Sequence, residues 1–410
     1  MTLRLVPPHL TVIRLLWRRA PAIRRHLTMS VRRCQPWVDV PKPKAVEIQR
    51  IPLSFDPAEI TIPAIMPDEP EPNGCPAGVY SDEVYLPPAS ISAKAHVPSM
   101  HVYQEMYNAS INDTDAFWKS VAKELYFAEG SSKGLEWNFD PKKGDVFCRF
   151  MDGAKTNISY NCLERNLERG LGDKIAYLWE GNESSDNSKI TYKELHSQVV
   201  NFSAVLRAHG VKKGDVVALY LPMITELAVA MLACTRIGAM HSVVFAGFSA
   251  EALGARIIDA KCRVLVTADG FYRGTKHIDL KKIADEAVRI AREGGVDMRS
   301  VIVVSHQKSI TVPKNSERPS EPPMSSIDFD YTSEMARHRD VESPVEWMDA
   351  ESPLFLLYTS GSTGKPKGVQ HATAGYMVYA YYTMKCVVDS HSENDVYWCT
   401  ADCGWITGHT

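Results

Sequence analysis

Between Ile175 and Ser305 the chain alternates short aliphatic and β-branched runs with longer stretches at helical spacing, and no other feature restricts the fold as much. Ile175–Trp179, Val216–Tyr220, His241–Phe245, Arg263–Thr267 and Ser300–Ser305 are predicted strands, and Leu354–Tyr358 adds a further apolar run. Thr191–His209, Glu226–Ile237, the stretch from Ser249 to Asp259, and Leu280–Glu293 are predicted helices. Thr191 and Glu194 have capping-box spacing, Ser249 is placed to cap its helix, and Gly210 and Gly238 stand where helices stop. Short runs that stay apolar at successive positions are buried on both faces, and strands joined through helices run parallel. The pattern predicts an α/β fold, with largely parallel sheets and flanking helices, and no internal repeat.

The N-terminal hundred residues read differently. Arginine occupies positions 4, 14, 18, 19, 24, 25, 32 and 33 before the first acid, Asp39. Leu10, Ile13, Leu16, Trp17 and Ala20 alternate with Arg14 and Arg18 at helical spacing. An acid-free basic amphipathic leader over 1–35 has the form of a mitochondrial transit peptide; the alternative is a basic tail, bypassed if synthesis starts at Met29. The expected location is the mitochondrial matrix or the cytoplasm. From 36 to 100 prolines are dense, which predicts an extended segment without helix or central strand. From 101 to 160 a helical cap is expected, with a helix over Thr114–Phe127 begun by Thr114 or Asp115. Lys308–Ser326, rich in Ser, Pro and charge, is expected to be a surface loop.

Composition excludes some functions. In 410 residues, Lys+Arg total 46 and Asp+Glu 49, a net charge of -3, which gives no support to nucleic-acid binding. The longest apolar stretch, Val216–Cys234, is interrupted by Pro222 and Glu226 and does not read as a membrane span. Nine scattered cysteines are an odd number and fit a reducing compartment better than a disulfide framework. Cys399, Cys403 and His409, with His391 nearby, invite a zinc reading but lack a clear fourth ligand. Two cysteines along a buried strand and turn are the expectation, with no metal site.

The chemistry concentrates in Thr359-Ser360-Gly361-Ser362-Thr363-Gly364-Lys365-Pro366-Lys367-Gly368, directly after an apolar run. Glycines let backbone amides approach an anion closely, hydroxyls add donors, and Lys365 and Lys367 add positive charge. The combination suits a polyphosphate; the alternative is a solvated Gly/Ser linker. Five residues after Gly361 stands Pro366, and five after Gly364 stands Val369, so the nucleotide-triphosphatase P-loop spacing is not met.

The segment from Tyr358 to Gly368 resembles the phosphate-loop signature of the acyl-adenylate-forming superfamily. Met231–Phe245 and Val396–His409 narrow the likeness to the acetyl-CoA synthetase (acetate–CoA ligase) family, from about residue 100 onward. The resemblance implies an AMP-binding domain over 161–410. It also implies two steps: acetate attacks the α-phosphate of Mg-ATP, and CoA then displaces AMP from the acetyl-adenylate. It assigns Thr359, Ser360, Gly361, Ser362, Thr363, Gly364, Lys365, Lys367 and Gly368 to the ATP phosphates. Arg273, Gly274, Thr275 and Lys276, together with Thr407, are assigned to CoA, and Trp405, Ile406 and Thr407 to the acyl pocket. Without the likeness, Arg273–Lys276 would read as a solvated basic turn and Trp405 as ordinary core.

The family's adenine and acetate segments, its Mg ligands and its adenylation lysine find no match. The expectation is therefore an incomplete N-terminal domain of an adenylate-forming enzyme that holds no catalytic residue and is inactive alone. Partners are expected to be acetate, ATP, CoA and Mg, without nucleic acid, membrane or an obligate protein. The alternatives are a propionyl-CoA synthetase and a non-catalytic truncated isoform.

Overall fold

The structure is a computed structural model and describes residues 87–359, 366–393 and 395–410. The basic leader, most of the proline-rich segment and Ser360–Lys365 lie outside the described residues. Residues 88–410 form one unit.

Seven strands build the main sheet: β1 (Val216–Tyr220), β2 (Met240–Val243), β3 (Val264–Ala268), β4 (Ser300–Val304), β5 (Asp328–Asp330), β6 (Pro353–Thr359) and β7 (Lys367–Ala372). They lie in the order β5-β4-β3-β1-β2-β6-β7. All pairings are parallel except β6 with β7. The α/β expectation holds, and every residue of β3 and β4 is buried, as strands covered on both faces require.

The order places β1 centrally, with β2 on one side and β3 on the other. At such a reversal the connections leave toward opposite faces, and a crevice opens beyond the C-terminal strand ends. That geometry decides where the site lies.

The helices follow from local chemistry. In α1 (Thr114–Ala122) the cap is Asp113, one residue earlier than expected, and its carboxylate accepts from Ala116 N. Asp115 turns away to accept from Gly134 N at 2.5 Å and ion-pairs with Lys119, which hold its carboxyl down to about 2. Helix α2 (Tyr192–Ala208) carries the complete Thr191–Glu194 capping box. Helices α3 (Thr225–Arg236), α4 (Ala250–Ala260, capped by Ser249) and α5 (Leu280–Glu293) follow the strands they serve. Helix α6 (Thr373–Cys386) follows β7, and α7 (Ile406–His409) is a single turn.

Three expectations are corrected. Ile175–Trp179 does form a strand (Ile175–Glu180), but it pairs antiparallel with Asn187–Thr191, outside the main sheet. Within the proline-rich segment Ala89–Ser92 makes one helical turn, because Pro88 at the N-cap withholds no donor that the turn needs. The helix expected to reach Phe127 ends at Ala122.

The principal core lies between the sheet and its helices, with Phe202, Tyr220, Leu253 and Ile257 among its largest members. A second core joins Trp118, Val121, Leu135 and Met151 to Ala374 and Val378 of α6. Asn157, fully buried, donates through its side-chain amide to the carbonyls of Thr235 and Glu346 at 2.7 and 2.8 Å. Beside it Glu164 is paired with Arg236 and with His196.

Candidate functional site

Two of the segments singled out for their chemistry, and the aromatic pair Phe245 and Phe248, lie at or just past the C-terminal ends of parallel strands. Phe245 and Phe248 follow β2, Arg273–Lys276 follows β3, and Thr359 ends β6. This is the crevice that the strand order creates.

Strand β6 leads into the glycine–hydroxyl–lysine segment and β7 leads out of it. Thr359 pairs with Lys367 and Tyr358 with Gly368, so both ends of the segment are held as neighbours across one ladder. A Cβ at Gly368 would stand 3.2 Å from the Tyr358 ring, a tight contact that a small shift of that ring would have to relieve. Of the nine residues assigned to phosphate binding, the structure describes Thr359, Lys367 and Gly368, and Ser360, Gly361, Ser362, Thr363, Gly364 and Lys365 lie outside the described residues.

The base of β6 is held by residues that sequence reasoning did not select. Tyr358 donates its hydroxyl proton to Asp259 Oδ2 at 2.7 Å. Burial, and then the hydrogen bond to Asp259, push the Tyr358 phenol up. Arg256, one helical turn before Asp259, has its guanidinium 5.3 Å from the centroid of Tyr358 and 4.9 Å from that of Phe248. Its charge is buried, which lowers its affinity for the proton, and the two rings offer their negative faces in return. The spacing of Arg256 and Asp259 near one helix end was the available signal.

Arg273 and Lys276 flank the turn of a small antiparallel hairpin, Phe271–Arg273 with Lys276–Ile278. Gly274 takes φ +60, open to glycine and strained for other residues. Its N–H donates to Asn182 Oδ1 at 2.7 Å and its carbonyl accepts from Asn182 Nδ2 at 3.0 Å. Ser316 Oγ donates to the Thr275 carbonyl at 3.2 Å. The four residues are exposed, so two cations stand in solvent on a pinned turn, an arrangement suited to phosphates.

The Trp405–Thr407 segment meets that hairpin through one ring. Trp405 packs edge-on against Phe245 at 5.1 Å, and the Arg273 guanidinium lies 5.2 Å from the same Phe245 centroid. The structure therefore brings Arg273 and Trp405 together, 132 positions apart by subtraction of their numbers. Trp405 is 48% exposed and Ile406 44%, so the indole is not core. Asp402, beneath the turn, accepts from Gly404 N at 2.7 Å. Burial raises its carboxyl above the ordinary range, opposed by that hydrogen bond and by the charge of Arg273.

Cys399 and Cys403 are half-buried and lie in irregular backbone rather than in a buried strand, which corrects that expectation. The backbone here is taken up by turns: Cys399 Sγ donates to the Thr407 carbonyl and Cys403 Sγ to that of Gly408, at 3.5 and 3.4 Å. His391, the residue weighed as a further zinc ligand, instead stacks on His96 at 4.5 Å and pairs with Asp389. His96, Asp389 and His391 place one possible ligand atom each within 4.8 Å of one another.

Among the described residues no helix is long and apolar enough to cross a membrane.

A family model described as AMP-binding enzyme matches residues 163–410, and one described as acetyl-coenzyme A synthetase N-terminus matches 103–162. An acetyl-coenzyme A synthetase of Drosophila melanogaster is 48% identical over 331 residues, which cover 80% of this chain and 49% of that protein. One from Desulfatibacillum aliphaticivorans is 50% identical over 308 residues, 75% of this chain and 45% of that protein. The chain thus spans about half the length of the curated relatives it matches. Among solved structures, acetoacetyl-CoA synthetase from Streptomyces lividans superposes with a TM-score of 0.59 at 26% identity, covering 73% of this chain and 43% of that one.

Proposed function

This chain belongs to the acetyl-CoA synthetase group of the AMP-binding enzymes, and from that membership we propose that it serves the ATP-dependent joining of acetate to CoA. In this reading a carboxylate oxygen of acetate attacks the α-phosphorus of Mg-ATP and pyrophosphate leaves. The thiol of CoA then attacks the acyl carbon and AMP leaves.

The observation that carries the reading is the convergence on Phe245. The basic hairpin and the Trp405 turn both reach this ring, beyond the same strand ends from which the glycine–hydroxyl–lysine segment departs. Catalysis of phosphoryl-type transfer is chiefly positioning and charge stabilisation, and the pieces match those needs. Thr359–Gly368 grips the β- and γ-phosphates of ATP. Arg273, Gly274, Thr275 and Lys276 take phosphates of CoA, with Thr407 alongside. Trp405, Ile406 and Thr407 wall a small acyl pocket. One methylene is worth about 1–3 kcal/mol in such a pocket, so propionate is a poorer substrate rather than an excluded one.

The test is acetate-dependent exchange of pyrophosphate into ATP, followed by acetyl-CoA formation on adding CoA, by protein carrying this chain. Exchange that is equal with and without a carboxylic acid would overturn the reading.

A further inference from the structure

Beneath the Trp405–Thr407 turn lies a set of rings to which the proposed function gives no task. His241 stands on β2 at 2% exposure, and His409 closes α7. Their Nε2 atoms are 2.8 Å apart, and the two rings lie end to end and nearly coplanar, with 5.0 Å between centroids and 8° between their planes. On its other side His409 Nδ1 lies 2.9 Å from the hydroxyl of Tyr376 on α6, and that hydroxyl is 3.1 Å from the His409 carbonyl. Phe355 of β6 packs on His409 at 3.9 Å, and His371 of β7 stacks on Phe355 at 4.5 Å. No carboxylate is hydrogen-bonded to either His241 or His409 among the described residues.

Proton counting selects one arrangement. If the Tyr376 hydroxyl donates to the His409 carbonyl, which can only accept, then His409 Nδ1–H donates to the Tyr376 oxygen. His409 has then spent its single proton, so its Nε2 accepts from His241 Nε2–H. That leaves His241 Nδ1 as a bare lone pair, and it is one of two buried ring nitrogens with no partner among the described residues, the other being His277 Nε2. The reverse arrangement would strand a buried N–H donor there, which proteins avoid more strictly than a bare acceptor. Burial favours two neutral rings, and holds His409 down to about 3.

The consequence falls on the turn. His409 and Gly408 both donate backbone N–H groups to the Trp405 carbonyl, at 2.9 and 3.1 Å, so Trp405, Ile406, Thr407 and His409 move as one piece. A Cβ on Gly408 would stand 2.3 Å from the Asp402 carbonyl oxygen, so this piece already touches the chain beneath it. The thiol contacts from Cys399 and Cys403 are weak donors. The His409 pairings are the directional ties between the turn and the sheet.

We propose that His409 is a positioning residue that sets acyl-chain selectivity: held between His241 and Tyr376, it fixes how far Ile406 and Thr407 stand from the sheet and hence the room left for the acyl group. The proposal rests on the acetate–CoA ligase reading. His409→Ala should raise the KM for acetate roughly ten- to hundredfold, since small misplacements carry such costs. It should also raise the propionate-to-acetate ratio of kcat/KM by about tenfold, the scale of one methylene. His409→Gln, whose amide oxygen can accept from His241, should recover most of both. Tyr376→Phe, which removes one hydroxyl and little volume, guards against a misfolded alanine variant and should shift the ratio in the same direction. An unchanged ratio in His409→Ala and Tyr376→Phe overturns the proposal. Nitrogen-15 spectra of the histidines read the network without any turnover. His409 protonated at Nδ1 and His241 at Nε2 supports it, and any other tautomer pair overturns it. If parent protein with these tautomers activates neither acid, the ligase reading fails while the histidine network stands.

Discussion

Tyr358 and Asp259 share a 2.7 Å hydrogen bond that ties the last turns of β6 to the end of α4, immediately before the segment assigned to phosphate binding. Tyr358→Phe removes this tie and keeps the ring that faces Arg256. Loss of one such bond costs about 1 kcal/mol, or roughly a fivefold change in an equilibrium constant. The expected result is a KM for Mg-ATP raised by about that factor, read by pyrophosphate exchange at varied nucleotide.

The lysines of the segment carry the larger effect. Removal of preorganised charge from a transition state typically costs about a hundred- to a thousandfold in rate. Lys365→Ala with Lys367→Ala should therefore lower exchange by that order, while the melting temperature stays close to that of the parent. Lys367 is solvent-exposed at the start of β7, so the loss would be chemical rather than structural.

The hairpin at Arg273 separates the two half-reactions. Arg273→Ala with Lys276→Ala removes two charge-assisted phosphate contacts and should raise the KM for CoA about tenfold or more. The main effect should fall on thioester formation. Equal losses in exchange and in acetyl-CoA formation would speak against assigning this hairpin to CoA.

Much of this architecture is legible in the sequence, and the limits have physical causes. Val216–Tyr220 and Leu280–Glu293 agree with expectation to the residue, because a short apolar run buried from Val217 to Tyr220 and a long amphipathic helix are distinct in length and pattern. The Thr191 capping box and the Ser249 cap were equally readable, since they depend on neighbours three positions away. What stayed hidden depends on distant partners. Ile175–Glu180 shows the same apolar character as a sheet strand, and only tertiary pairing sends it to a separate ladder. Strand β7 is polar and exposed, so no hydrophobic pattern announces it. Phe245 was visible within a motif, yet its place between Arg273 and Trp405 exists only after folding.

Acid should act through the buried imidazoles. The protonated forms are disfavoured by burial, and then for His241 by His409 and for His409 by His371, so both titrate below the ordinary value near 6.5. The groups facing them are His371 from β7 and Tyr376 from α6. A depressed folded-state value means that each neutral ring stabilises fully above about pH 6.5 and that its contribution is lost as the pH falls through its lowered value, about 3 for His409. Unfolding free energy should fall by about 1.4 kcal/mol per pH unit for each such ring below 6.5. In denaturant titrations from pH 7 to 5, the slope should be shallower in His409→Gln.

A carboxylate gives the complementary case. Burial opposes ionisation of Glu164, but hydrogen bonds from His196 and Arg236 overcome it and hold the carboxyl at about 2. This pairing stabilises above about pH 4.5 and is lost as the pH falls through 2. Arg236→Met would leave a buried carboxylate without its guanidinium and should cost about 3–5 kcal/mol at neutral pH. The deficit should shrink on acidification, measured by chemical denaturation.

Asn157 lies in the stretch matched by one family model, and the carbonyls of Thr235 and Glu346 that it bridges lie in the stretch matched by the other. The Trp118 core likewise draws Ala374 and Val378 from far along the chain. A border drawn by homology is therefore not a seam along which the folded object comes apart. Excising everything before residue 163 would deprive α3 and α6 of neighbours on which they rest, and heat should melt 88–410 in a single step rather than two.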